Sequence, residues 1–391
     1  MCTPSIYLIA LTCLSLPLTK LAAVEAVVIP SAAQQVEYVL TIVHPGDSTA
    51  KPTPHTLVQI RDEQGEPKAY SMWVDSVICR EKTCDVVQVQ LHWDALGRYQ
   101  SYQVAFGSEL TKLDHVPFTQ EEKRKLHSIL SDPNSPLKET EKEAMTAKIP
   151  TGSEANKKLP KGVAAISAPT VLTLKTAVIL GAGYTCYDLW HWSNGLLTDR
   201  IRHFTAKDSS LKKILSYLSD EDDRNALFAL QALRQRKISQ QDVFKKVLTR
   251  SQQGSSDLME NTLAYLKENA PNTATYEQAL IHLFAEANTK KRLFILEKLT
   301  AEAPATTGDF YDQLSNYLPQ LASYFEAHLY FNLIEQNQAR SALINKNAVQ
   351  LLSHKKFFVS RRAYAYLKKQ KLDKKFQKVV DEYQEKHKDR L

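Results

Sequence analysis

Cys79 and Cys84 are the residues whose type and spacing most directly suggest chemistry. They flank the polar tetrapeptide Arg80-Glu81-Lys82-Thr83, between the apolar runs 73–78 and 86–91. Two strands meeting at a hairpin would set these thiols across its neck, where a disulfide forms in an oxidising compartment. A redox or metal pair would call for a tighter motif than C-x4-C and further ligands, and a haem attachment would call for C-x-x-C-H. A structural disulfide is therefore the expected reading. Asp188 and His191 place a carboxylate and an imidazole three apart on a presumed helix, within hydrogen-bonding reach, as many purely structural pairs are. His92, His115, His127, His191 and His203 stand singly, so no metal site is expected. The chain has no H-E-x-x-H, G-x-S-x-G, G-x-x-x-x-G-K or G-x-G-x-x-G. Catalytic residues stay unassigned.

The elements that must position these residues change character along the chain. Residues 36–43, 56–61, 69–78, 85–93 and 99–106 alternate apolar and polar, with turn signals at Gln64-Gly65 and at Asp94-Ala95-Leu96-Gly97, which predicts an antiparallel meander. Thr119-Gln120-Glu121-Glu122 opens a helix as a capping box, carrying Leu126, Ile129 and Leu130 on one face until Asp132-Pro133 ends it. Residues 137–162 are charged and hold Pro150, Gly152 and Pro160, the composition of a linker or long loop. Residues 163–205 are the apolar helical part of the first domain, with a break at Gly181-Ala182-Gly183.

From residue 206 the apolar spacing is helical to the end. The segments 224–230, 260–266, 290–296, 327–333 and 361–367 align, and their last leucines stand 36, 30, 37 and 34 residues apart. Such a period belongs to helix-pair repeats, whose units bury their apolar faces only against neighbours. An irregular helical bundle is the bland alternative. Leu227, Leu230, Leu263, Leu266, Leu293, Leu296, Leu329, Leu333 and Leu367 are the expected core.

Composition and charge narrow the class. Only 11 glycines in 391 residues disfavour a turn-rich all-β chain. Residues 6–18 form an uncharged apolar run followed by Ala22, Ala23 and Ala26, as in a secretory signal peptide cleaved after Ala26. The mature chain is then expected to be extracytoplasmic, periplasmic or secreted, with residues 27–136 as the β-rich part of its first domain. Cleavage removes Cys2 and Cys13 and leaves Cys186 as the odd thiol. Residues 355–391 carry thirteen Lys or Arg against five Asp or Glu, so 13 − 5 = +8, whereas the whole chain sums to +7. That end could face an anionic surface, although Asp373, Asp381, Glu382 and Glu385 interrupt it, as in a solvated cap. No nucleic-acid module is present, and none is expected as a partner.

Two resemblances add to this reading. Arg224-Asn225-Ala226-Leu227-Phe228-Ala229-Leu230, preceded by Asp222-Asp223, resembles the second helix of a HEAT-type repeat. Ile166-Ser167-Ala168-Pro169-Thr170 resembles the Ser-Gly-Ala-Thr motif of the small FMN-binding domain of extracytoplasmic electron-transfer proteins, with Ala168 and Pro169 replacing the glycine and alanine. The second resemblance implies that Ser167 begins the motif and that Thr170 holds the FMN phosphate at a helix start. It also implies that Tyr184, Trp190 or Trp192 would stack near the flavin ring. The fold class expected is an α+β domain, a meander plus helices, followed by an all-α, HEAT-like solenoid. The function expected is partner binding through the helical repeats, with a flavin-dependent electron carrier as the alternative.

Overall fold

The computed structural model describes residues 34–46, 50–79, 84–112, 115–142, 176–302 and 306–391, with strands alone given for 77–79, 84 and 85. Contacts divide these into two compact units, the second holding Gln64–Lys68, Ala95–Gly97 and Leu196–Leu391, the first the remainder.

The first unit is built on the predicted meander. Strands β1 (Gln35–Ile42), β2 (Thr53–Arg61), β3 (Pro67–Cys79), β4 (Cys84–Asp94) and β5 (Tyr99–Val104) form one sheet in sequence order. Their period-two pattern fixes the register, because a slip of one residue would turn every apolar side chain outward. Tyr70, Met72 and Val74 accordingly oppose Trp93, Leu91 and Val89 across β3 and β4, all six buried. Gly65 and Gly97 occupy the two expected turns at φ +79° and +75°, conformations that favour glycine. Helix α1 (Gln120–Ser131) starts at the Thr119 capping box and buries Leu126, Ile129 and Leu130, as its spacing predicts. The stretch read as linker opens differently. Leu137 is fully buried in a 3₁₀ turn, Pro136–Glu139, while residues 143–162 lie outside the described residues. Helix α2 (Gly183–Asn194) then packs against α1.

The second unit is helical. It contains α3 (Leu196–Asp208), α4 (Leu211–Leu218), α5 (Asp223–Gln235), α6 (Gln241–Gln253), α7 (Ser256–Asn269), α8 (Thr273–Glu286) and α9 (Thr289–Glu302), then α10 (Gly308–Ser315), α11 (Tyr324–Gln336), α12 (Ala342–Gln350), α13 (Phe357–Leu367) and α14 (Lys374–Lys386). Helix starts follow local chemistry. Ser210, Asp222, Ser255, Asn272, Thr307, Ser323, Ser341 and Asp373 each accept a hydrogen bond from a backbone N–H of the turn they open. Each odd-numbered helix from α3 packs against the next odd-numbered one, and each even-numbered helix from α4 against the next even-numbered one. The five aligned sequence segments fall in α5, α7, α9, α11 and α13, every second helix.

Within those helices the last leucine of each segment is a core residue. Leu230, Leu266, Leu296, Leu333 and Leu367 are buried, whereas Leu227, Leu263, Leu293 and Leu329 are half-buried at the edge. The correction has a geometric cause. On α5 the buried stripe runs through Ala226, Ala229, Leu230 and Leu233, and Leu227 is turned about 100° from Ala226.

Ion pairs cross between successive odd-numbered helices at sequence separations of 27 to 38 residues. Arg234 on α5 grips Glu268 on α7 through two bonds of 2.5 and 2.8 Å. Lys267 meets Glu302 at 2.8 Å, Lys298 meets Glu260 at 2.5 Å, and Glu335 accepts from Arg362 and Lys369. Exposed pairs of this kind contribute little each to stability.

One carboxylate joins three helices. Asp223, at the start of α5, accepts from the Ser255 N–H that opens α7 at 2.7 Å and from Arg250 on α6 at 2.6 Å. Burial pushes its pKa up, but Ser255 and Arg250 together outweigh that and hold it below the ordinary value. A carboxyl lowered on folding stabilises the fold above its unfolded pKa of about 3.9 and loses that contribution as pH falls through the folded value. Acid titration of helical content should therefore show stability falling below about pH 4. Asp223→Asn should flatten that slope, and an unchanged slope would contradict the assignment.

Candidate functional site

Helix α2 carries Tyr184, Tyr187, Trp190 and Trp192 together with Cys186, Asp188 and His191. Gly181, at φ +80°, lets the chain turn into a segment that is buried on nearly every side, as an interior helix must be. Its polar groups are then satisfied locally. The Trp190 indole N–H donates to the Asp132 carbonyl at 2.8 Å, Asn194 donates to the Leu130 carbonyl at 3.0 Å, and the Trp93 indole N–H reaches the Ser193 carbonyl at 2.8 Å. Trp192 donates to His44 Nε2 at 3.1 Å, with the His44 and His55 rings packed on its indole.

The residues singled out for chemistry are separated here. His191 Nε2 lies 3.2 Å from the Leu137 carbonyl, and burial lowers its pKa. Asp188, almost wholly buried, forms an ion pair with Lys142 at 3.1 Å. The pair three apart in sequence thus works as two anchors. Cys186 is buried, its Sγ accepts from the Ile179 N–H at 3.3 Å, and burial pushes its thiol up to about 12, a protonated and unreactive state at neutral pH. Among the described residues no group of three His, Cys, Asp or Glu is placed to hold a metal ion. Cys79 and Cys84 are direct partners in the β3–β4 register, and their side chains lie outside the described residues. Ser167 and Thr170 also lie outside them. Of the three rings expected beside a flavin, Trp190 and Trp192 are buried and Tyr184 is half-buried.

The second unit carries an open groove of about 440 Å³ where α3, α5 and α7 lie side by side. Its walls are Arg202 and His203 from α3, Gln231, Arg234 and Gln235 from α5, and Glu268 from α7. Helical periodicity explains the placement. Ala226, Leu230 and Leu233 face inward, which turns Gln231 and Gln235, four apart, to the solvent side of α5. Arg202 pairs with Asp199 at 3.2 Å and Arg234 with Glu268, which sets both guanidiniums beside a carboxylate on the groove wall. Each exposed amide offers both donors and acceptors, the complement of an extended peptide backbone. Apart from His203, none of these residues stood out in the sequence. The available signal was the Gln231/Gln235 spacing on the polar face of α5 and the 34-residue separation of Arg234 and Glu268.

No protein-family model matches the chain, nor does any curated protein or solved structure.

Proposed function

We propose that this chain is an extracytoplasmic partner-binding protein whose helical unit is a HEAT-like solenoid. The observation that carries the reading is the packing of every helix on the second next, odd with odd and even with even. That is the arrangement expected when repeated helix pairs stack and each unit covers its neighbour. Ion pairs one repeat apart support the same reading, as does the fall of the aligned leucine segments in alternate helices. The groove on α3, α5 and α7 is the docking site, and its occupant is an extended polypeptide segment recognised by Gln231, Gln235 and the guanidiniums of Arg202 and Arg234.

The first unit is the supporting domain. A Cys79–Cys84 disulfide belongs to the proposal, since the strand register sets these residues opposite each other and secretion would supply the oxidising environment. The flavin-carrier alternative is less favoured because both tryptophans of α2 are buried and committed by their indole N–H groups to partners inside the unit.

Site-specific photocrosslinking in the native host tests the function. A crosslinker at Gln231 should give one dominant adduct with a single protein, lost when Arg234 is changed to Glu, and a crosslinker at exposed Lys246 on α6 should not give it. Equal labelling from both positions would refute groove binding. A flavin absorbance band in the purified native protein would favour the alternative.

A further inference from the structure

The far end of the helical unit carries an aromatic and cationic edge that the groove does not involve. Tyr324 and Phe325 open α11, and Phe358 lies in the first turn of α13. These three rings are 39%, 67% and 62% exposed, well beyond what packing of the two helices requires. They form one cluster. Tyr324 lies 5.7 Å from Phe325 and 6.4 Å from Phe358, centroid to centroid, so the starts of α11 and α13 lie on the same edge.

The charge on that edge is mostly positive. Lys355 and Lys356 precede α13, and exposed Arg361 lies in its second turn. The end of α14 folds back to the same place, since Arg390 stacks on Phe357 at 3.9 Å and His387 lies 5.4 Å from the same ring. Lys386 and Lys388 arrive with them, against Glu385 and Asp389.

We infer that this edge binds an anionic phospholipid bilayer, with Phe325 and Phe358 entering the headgroup and acyl boundary and the lysines and arginines meeting the headgroups. The rings project from helix starts, a shape suited to insertion in a deformable surface. A protein partner would need a complementary walled site for each ring, and a second copy would bring like charge against like charge. Cations beside exposed aromatic rings supply the two components of interfacial binding, electrostatic attraction and apolar burial. Among the described residues no helix is long and apolar enough to cross a membrane, so the contact is with the surface. This inference goes beyond the groove and does not depend on its occupant.

Co-sedimentation of the full mature chain with vesicles tests it. Vesicles of equal phosphatidylglycerol and phosphatidylcholine should retain the protein, and pure phosphatidylcholine vesicles should retain at least about tenfold less. Phe325→Ser combined with Phe358→Ser should lower partitioning by about tenfold with unchanged circular dichroism. Lys355→Glu with Arg361→Glu should do the same and remove most of the salt dependence. Absence of binding to the anionic vesicles would overturn the inference. So would equal partitioning of the aromatic variant, or tight binding to polyglutamate without vesicle affinity, which would assign the edge to an acidic protein.

Discussion

Leu230→Ala should lower the unfolding free energy of the helical unit by roughly 2–5 kcal/mol, the range for emptying a packed leucine site. Leu230 is fully buried on α5 in the continuous core that runs through Leu233, Leu266 and Leu296. Its neighbours belong to helices whose own backbone bonds restrain them, so the vacated space closes only partly. The comparison that gives the experiment its force is Leu293→Ala, because Leu293 is half-buried. That variant should lose distinctly less. Urea unfolding followed by circular dichroism reads both, with separate transitions analysed for the two units. A Leu230→Ala loss within about 0.5 kcal/mol, the scatter of surface changes, would contradict the packing described.

Trp93→Ala should cost the first unit roughly 3–5 kcal/mol. The ring is fully buried opposite Tyr70 in the sheet, and its N–H satisfies the Ser193 carbonyl of α2. The substitution therefore removes both apolar contact and the partner of a carbonyl. Trp93→Phe separates the two effects, keeping much of the apolar volume while leaving that acceptor unpaired at a cost of about 1–3 kcal/mol. Thermal unfolding followed by near-ultraviolet circular dichroism would read the series. If the phenylalanine variant were as stable as the parent, the indole hydrogen bond would have no structural weight.

Legibility in the sequence followed the range of the physics. The strands, the turns at Gly65 and Gly97 and the Thr119 cap depend on residues within a few positions of one another, and all were readable from period and turn chemistry. The alternate helices α5 to α13 were readable because the leucine pattern repeats. What failed was orientation within those helices. Leu227 and Leu230 look alike in a pattern three apart, and only the placement of neighbouring helices decides which one is covered.

The candidate site was less legible because its geometry is long-range. Trp93 meets Ser193 across 100 positions, Trp192 meets His44 across 148, and Arg234 meets Glu268 across 34. No local rule pairs Asp188 with Lys142, so the nearer His191 looked like its partner. The Gln231 and Gln235 amides carry no motif and become notable only once α3 and α7 stand beside α5.

The central claim is that the groove on α3, α5 and α7 binds a polypeptide. Its most direct test is the affinity of the protein crosslinked at Gln231, measured by calorimetry against the intact chain and against a Gln231→Ala, Gln235→Ala variant. Loss of these paired amide contacts should weaken binding by about tenfold or more, near 1.4 kcal/mol, with the fold unchanged. Equal affinity for the two proteins would contradict the account.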